Sequence, residues 1–318
     1  YDPPCLGVHM YRNRGDWSIA AHPLADALNG RYGYPENGTG TSPALSFARR
    51  LHDRLHIPIG IVPTAVGGTP LSEWNPAEKG GCYREMEKRL SVIGDFKGFL
   101  WLQGCSDCNA DCAEDYLERF SRMVSLWNEK FGAHPILTVQ LNRWMGNDDP
   151  ENDRYWGMIR EAQRRAALEI PGVYVVSSLD LSVTDGIHNS SSANVTIGER
   201  LANAALACLY GKPGQESVCI LSVEAADDTH VLLHLTPGHR VLAMDGRALG
   251  MNVEDRDGMI ECIEAAPVSD GLLVSTVRPY RLPAQFHYAW RTHPPVFAVR
   301  DFYDQPLLAC YGMEISAQ

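Results

Sequence analysis

The stretch IPIGIVPTAVGGTPLSEW, residues 57–74, decides the fold class. A short apolar run from Ile59 to Ala65 reads as a buried strand, and it stops at Gly67-Gly68. Paired glycines after a strand permit close backbone approach and can leave an N–H facing a ligand. Just upstream lies a helix signal. Ser42 can cap it, Pro43 suits its first turn, and Ala44, Phe47, Ala48, Leu51 and Leu55 form one apolar stripe.

Working outward, the same alternation repeats. Phe99–Gln103 predicts a second strand, and a helix with Tyr116, Phe120, Met123, Val124 and Trp127 on one face follows it. Ile136–Leu141 is a third strand, a helix covers Tyr155 to Leu168, and Val173–Ser177 is a fourth strand. A last helix is expected to open with a capping box, Thr196 to Glu199, and to end at Gly211. Strands that are continuous apolar runs between helices imply a parallel sheet covered on both faces. Ligands bind such sheets beyond the carboxyl ends of the strands, where Gly67, Gln103 and the Asp185–His188 loop fall. Residues 1–41, rich in Gly, Pro, Asn and Asp, read as a long surface loop.

The pattern changes after Gly211. Short apolar runs separated by LTPGHR, MDGRALG and DRDGM predict a β-sandwich-like domain, built from 218–223, 231–235, 259–263, 272–277, 286–290 and 296–299. The boundary is placed in GKPGQE, dividing the chain into 1–211 and 212–318.

Composition narrows the function. With 45% hydrophobic and 21% charged residues the chain has an ordinary globular make-up. A net charge of −11 argues against nucleic acid and anionic membrane as partners, and no apolar run reaches the length of a membrane span. The nine cysteines are odd in number and scattered, unlike a secreted disulfide framework. Cys105, Cys108 and Cys112 cluster without a fourth ligand, so no metal is expected. Sequons stand at Asn37, Asn189 and Asn194.

Three local features carry possible chemistry. In TDGIH, Asp185 stands three residues before His188, where a carboxylate can fix an imidazole's tautomer and steady its protonated form. The glycines Gly67 and Gly68 offer backbone N–H groups, and the Gln103 amide offers a side-chain donor. Each has a bland alternative: a solvated loop pair, a tight turn, a Gln bonded to its own loop.

Taken in order, these blocks resemble the SGNH hydrolases, and within them the sialate O-acetylesterase and acetylxylan esterase-like carbohydrate esterases. WSIAAHPL (17–24), GTSPALSFARRL (40–51), the 57–74 stretch, LWLQGCSD (100–107), REAQ (160–163) and DGIHNSSSANVTIGERLANAAL (185–206) carry the likeness; FHYAWRTHPP (286–295) is similar to the end of sialate O-acetylesterases. The resemblance implies a flavodoxin-like SGNH three-layer α/β/α parallel sheet and a carbohydrate O-acetylesterase acting by a Ser-His-Asp mechanism on an acetylated sugar or glycan, with no cofactor. It implies His188 as general base, Asp185 as its orienting acid, Gly67 and Gln103 in the oxyanion hole, and Gly68, Cys105 and Asp107 as support. Two departures stand out. The family's G-Q-S-N-M-like nucleophile motif does not occur, so the serine and first strand are expected upstream of Tyr1; Ser18 is displaced from a G-D-S pattern and Ser42 suits a cap. Cys105 also replaces the family's Glu, and as a nucleophile it would need a lowered pKa. The competing readings are a non-catalytic sugar-binding homologue and a thioesterase or lipase of the same superfamily, with the Trp74 and Trp101 regions and the β domain favouring carbohydrate over acyl chains.

Overall fold

The computed structural model describes residues 3–24, 40–146, 149–212, 214–239, 241–269, 271–295, 299–301 and 304–317; the Asn37 sequon and the start of the 296–299 run lie outside them. Its first elements correct the reading of 1–41 as a loop. Strand β1 (Val8–Tyr11) pairs antiparallel with β2 (Trp17–Ile19), with Met10 opposite Ser18. Val8 and Met10 are fully buried and alternate with polar neighbours, a period-2 pattern too short to stand out among the surrounding turn residues. On its other edge β1 runs parallel to β3 (Ile59–Ile61).

Helix α1 (Pro43–Leu55) lies between them in sequence. Ser42 caps it by accepting from the Ala44 N–H, and the helix ends at His56 in the left-handed region. A second sheet is wholly parallel: β4 (Phe99–Trp101), β5 (Ile136–Val139) and β6 (Val173–Val176). Helices α2 (Gly81–Ile93), α3 (Tyr116–Phe131), α4 (Pro150–Glu169) and α5 (Ser191–Tyr210) complete this part. α2 has no counterpart in the sequence reading. α5 starts five residues before the expected box, because Ser190 caps it by accepting from the Ala193 N–H; Thr196 lies inside the helix and donates to Ser192 O.

Two cores sandwich the strands. Leu137, Val139 and Val176 pack with Leu51 of α1 and the apolar face of α5. Trp101, Ile136 and Val173 pack with residues of α2, α3 and α4. Adjacent strand residues thus face opposite helical layers, as a doubly covered sheet requires. Among the described residues, however, no ladder joins β3 to β4. Leu100 and Leu102, in and just after β4, are 36% and 47% exposed, whereas every residue of β5 is buried. The two half-sheets are held in one layer by α1 and α5. The two helices pack tightly at Gly198, where a Cβ would overlap Ser46 Oγ and Pro43 O.

The remainder of the chain is β-structure: β7 (Ile220–Ala225), β8 (His230–Leu235), β9 (Val241–Ala243), β10 (Met251–Asp255), β11 (Gly258–Val268), β12 (Gly271–Thr276), β13 (Gln285–Tyr288), β14 (Val299–Asp301) and β15 (Cys310–Ser316). It is a closed barrel in the order β10-β11-β12-β8-β7-β15-β13, with β9 and β14 as a separate pair. The sandwich expectation is therefore replaced. Closure comes from β13, which pairs with β10 (Phe286 opposite Val253) and with β15. A bulge between Cys262 and Glu264 interrupts the register of the long β11 with β12. Val231, Leu233, Val253, Ile260, Leu272, Val274 and Phe286 fill one core. The barrel is seated on the α/β part by Gln140, whose amide accepts from Ala309 N–H at 2.9 Å and donates to Ala309 O at 3.0 Å.

On β13, His287 is wholly buried beside the rings of Trp290 and Tyr311. Its Nδ1 accepts from the Gly312 N–H, and Nε2 lies 3.3 Å from the Glu254 carboxylate. That carboxylate would favour protonation, but it is half-exposed, and burial prevails, pushing the imidazole down to about 4.

Two predictions follow from these packing facts. Gly198→Ala forces α1 from α5 and should cost about 1–3 kcal/mol by urea denaturation. As pH falls from the ordinary 6.5 towards about 4, the unfolded chain binds a proton at His287 that the folded barrel refuses. Stability should drop across that window by up to about 3 kcal/mol. His287→Gln should flatten the slope of urea midpoint against pH there, even if its starting stability is lower.

Candidate active site

Three loops leave the carboxyl ends of parallel strands on one edge. The loop after β3 carries Gly67 and Gly68, both exposed. A Cβ at Gly67 would meet nothing within 4 Å, and Gly68 has φ +69°, a left-handed turn that glycine adopts without strain.

The loop after β4 begins with Gln103. Its side-chain amide donates to Thr69 O at 3.2 Å and to Asp107 Oδ2 at 2.6 Å, and its Oε1 accepts from Tyr116 O–H at 2.9 Å. Both amide hydrogens are thus committed, and donation to a substrate oxyanion requires exchanging one of these partners. Asp107 is fully buried and also accepts from the Leu71 N–H at 2.9 Å. Burial raises its carboxyl pKa against those hydrogen bonds and against Arg119, 3.6 Å away. Arg119 is itself clamped by Glu78 through two hydrogen bonds. One carboxylate therefore ties the β3 loop, the β4 loop and α3 together.

Cys105 lies on the same loop, in a short 3₁₀ turn. It is accessible to solvent, and desolvation by the neighbouring protein pushes its thiol up to about 11. A thiol so placed carries little thiolate at neutral pH, which argues against it as a nucleophile. All nine cysteines are free, and among the described residues no group of three or more His, Cys, Asp or Glu is placed to hold a metal.

The loop after β6 carries Asp185 and His188. Asp185 Oδ1 accepts from the His188 and Ile187 N–H groups at 2.9 and 3.2 Å, and Oδ2 is 2.6 Å from His188 Nδ1. These bonds, led by the His188 N–H, hold the carboxyl well below the usual carboxylate range. An ionised Asp185 accepts from Nδ1–H, so Nε2 is the nitrogen left to take a proton. The imidazole is 78% exposed. Among the described residues no hydroxyl or thiol hydrogen-bonds Nε2. Ser18 accepts from Arg12 Nε within the β1–β2 sheet, and Ser42 caps α1.

Other expected features take structural places. Asn189 accepts from Asn142 Nδ2, and Asn194 donates to Thr41 O, so both sequon side chains are engaged within the fold. Trp74 and Trp101 are 5% and 7% exposed and pack edge-on in the core; they are not a sugar platform. Sequence reasoning missed Tyr116 and Asn142. Tyr116 was assigned to a helix's apolar face, and only the fold shows its hydroxyl on Gln103.

Asp107→Ala would strand the buried Leu71 N–H and the Gln103 amide. At about 1–3 kcal/mol for each unpaired group, a loss of about 2–4 kcal/mol is expected in urea denaturation, with Asp107→Asn losing less.

Residues 2–207 match the family described as "Carbohydrate esterase, sialic acid-specific acetylesterase". Over 177 residues the chain is 30% identical to a probable carbohydrate esterase of Arabidopsis thaliana, covering 52% of this chain and 64% of that protein, just under two thirds of the relative's length. Among solved structures, a carbohydrate acetylesterase from Xanthomonas citri aligns with 95% of this chain and 72% of its own, at TM-score 0.78 and 21% identity. A protein from Arabidopsis thaliana aligns with 65% of this chain and 83% of its own, at TM-score 0.54 and 27% identity. The Xanthomonas likeness, one of fold, spans the barrel as well as the α/β layers. The chain belongs to the sialic acid-specific acetylesterase family of carbohydrate esterases.

Proposed function

We propose that this chain is the body of a carbohydrate O-acetylesterase of the flavodoxin-like SGNH type. In this reading residues 1–211 form the hydrolase domain and 212–318 an accessory β domain, and a strand preceding Tyr1 brings the nucleophilic serine. The observation that carries it is the absence, among the described residues, of a ladder in the lane between β3 and β4. β3 packs against α1 and β4 against α2, α3 and α4, neither strand pairs with the other, and Leu100 and Leu102 are exposed where a doubly covered sheet buries its residues. A strand entering that lane parallel to β4 would deliver its carboxyl end beside Gly67, Gln103 and His188.

The chemistry then follows from the loops. The serine hydroxyl attacks the acetyl carbonyl as His188 Nε2 takes its proton. Asp185 steadies the imidazolium through Nδ1. Gly67 N–H and Gln103, released from Thr69 or Asp107, donate to the oxyanion. His188 returns the proton to the leaving sugar oxygen, and water cleaves the acyl-enzyme in a second cycle. Gly68, Cys105 and Asp107 support these loops, and the substrate is an acetylated sugar of sialate or xylan type.

The test is hydrolysis of a chromogenic acetyl ester by Tyr1–Gln318 and by the same chain with its native upstream segment. The first should be inactive and the second active, with His188→Ala lowering kcat by at least about a thousandfold. Robust hydrolysis by Tyr1–Gln318 that disappears in His188→Ala would overturn the external serine. O-acetylated sialic acid and acetylated xylo-oligosaccharides, compared with longer acyl esters, read the substrate class.

A further inference from the structure

Helix α4 carries two buried polar side chains three residues apart that grip one backbone segment. Gln163 accepts from the Leu141 N–H and donates to Gln103 O, both at 2.9 Å. Arg160, wholly buried, donates to Leu141 O at 3.0 Å and Asn142 O at 2.7 Å. Its other amino group reaches into the β domain, to Ala289 O at 2.8 Å, Arg291 O at 2.6 Å and, more weakly, Trp290 O at 3.4 Å. Every one of these acceptors is a main-chain carbonyl. The planar fork of a guanidinium suits such a task, joining two chain segments by directed bonds where an ammonium would supply a point charge.

The gripped segment leads to the site. Asn142 Nδ2 donates to Asn189 Oδ1 at 2.5 Å, next to His188. Met145 N–H donates to Gly186 O at 2.6 Å, next to Asp185. Between them, Trp144 N–H donates to Thr292 O at 2.7 Å, in the β-domain loop that Arg160 holds. Thr292 is pinned from below, its N–H and hydroxyl both donating to Asp153 Oδ1 at 2.7 Å. The Asp185–His188 pair itself is exposed, and its loop is also held by Ile187 packed on the core and by the Thr184 N–H donating to His188 O at 2.8 Å.

We infer that Arg160 is a positioning residue that makes the 289–292 loop of the β domain a structural part of the active site, holding the Asp185–His188 loop through residues 141–145. The inference takes the role of His188 from the proposed esterase mechanism, but its test needs no turnover, so a failure of that mechanism leaves it decidable.

The test is amide hydrogen exchange and imidazole ¹⁵N NMR on the whole chain, for Arg160→Lys, Arg160→Met and the milder Asp153→Ala. In the original protein the His188 ring should show one tautomer, with the proton on Nδ1. In Asp153→Ala, exchange at the Met145 amide and at the Thr184 amide, which donates to His188 O at 2.8 Å, should quicken about tenfold, and the His188 shifts should move toward a mixture of tautomers. Amides of β7, β8 and α1 should stay protected. Arg160→Met should show the same pattern more strongly, and Arg160→Lys should recover it only in part. If Arg160→Met fails to fold, Asp153→Ala decides. Unchanged loop exchange and ring shifts in a folded variant would overturn the inference. So would an equal loss of protection in α1 and the barrel strands, which would mark Arg160 and Asp153 as general structural supports.

Discussion

The contact on which the α/β part depends is the close packing of α1 against α5. A parallel sheet is ordinarily held together by its own ladder, yet among the described residues no ladder joins the two three-stranded pieces here. The helices hold them together. Gly198 lets α5 approach α1 so tightly that Ser46 reaches across to Asn194 O, and Asn194 reaches back to Thr41. With that distance fixed, the loops after β3 and β4 come within reach of each other and Asp107 can bind both. Without it, Gly67 and Gln103 would belong to separate bodies.

Polar groups perform the finer alignment, and nearly all of them are side chains bonded to backbone. Asp107 holds the Leu71 N–H, Gln163 holds Leu141 and Gln103, Gln140 holds Ala309, and Arg160 holds carbonyls from both halves of the chain. Groups of this kind are costly to leave unpaired, so the geometry they enforce is specific. They also explain how a site built from loops can be ordered: each loop is tied to a neighbouring element by a buried side chain outside the reacting set.

Much of this was legible in the sequence, for reasons that differ by element. The Ser42-Pro43 start, the α3 stripe and the parallel strands are local signals, and the structure follows them. The start of α5 was not, because 190–192 is a run of serines in which each can cap, while Thr196 and Glu199 form a convincing box one turn and more inside the helix. The barrel was not legible either. Alternating short strands fit a sandwich and a barrel equally, and closure depends on β13 meeting both β10 and β15, a pairing set by tertiary structure. Asp185 and His188 could be found by spacing and by resemblance. The commitments of Gln103 could not, since its partners Tyr116 and Asp107 were placed by their helix face and their motif, and neither assignment reveals a hydrogen bond.

The exposed side of β4 has a colloidal consequence. In Tyr1–Gln318, where among the described residues β4 pairs with β5 alone and Leu100 and Leu102 meet water, β4 is a template for any extended chain that can align with it. Two copies of Tyr1–Gln318 without the preceding strand present the same edge to one another, and a net charge of −11 is what opposes their meeting in dilute salt. Screening that charge removes the opposition and leaves the edge. The ionic strength of a preparation is thus a control on whether these molecules stay apart.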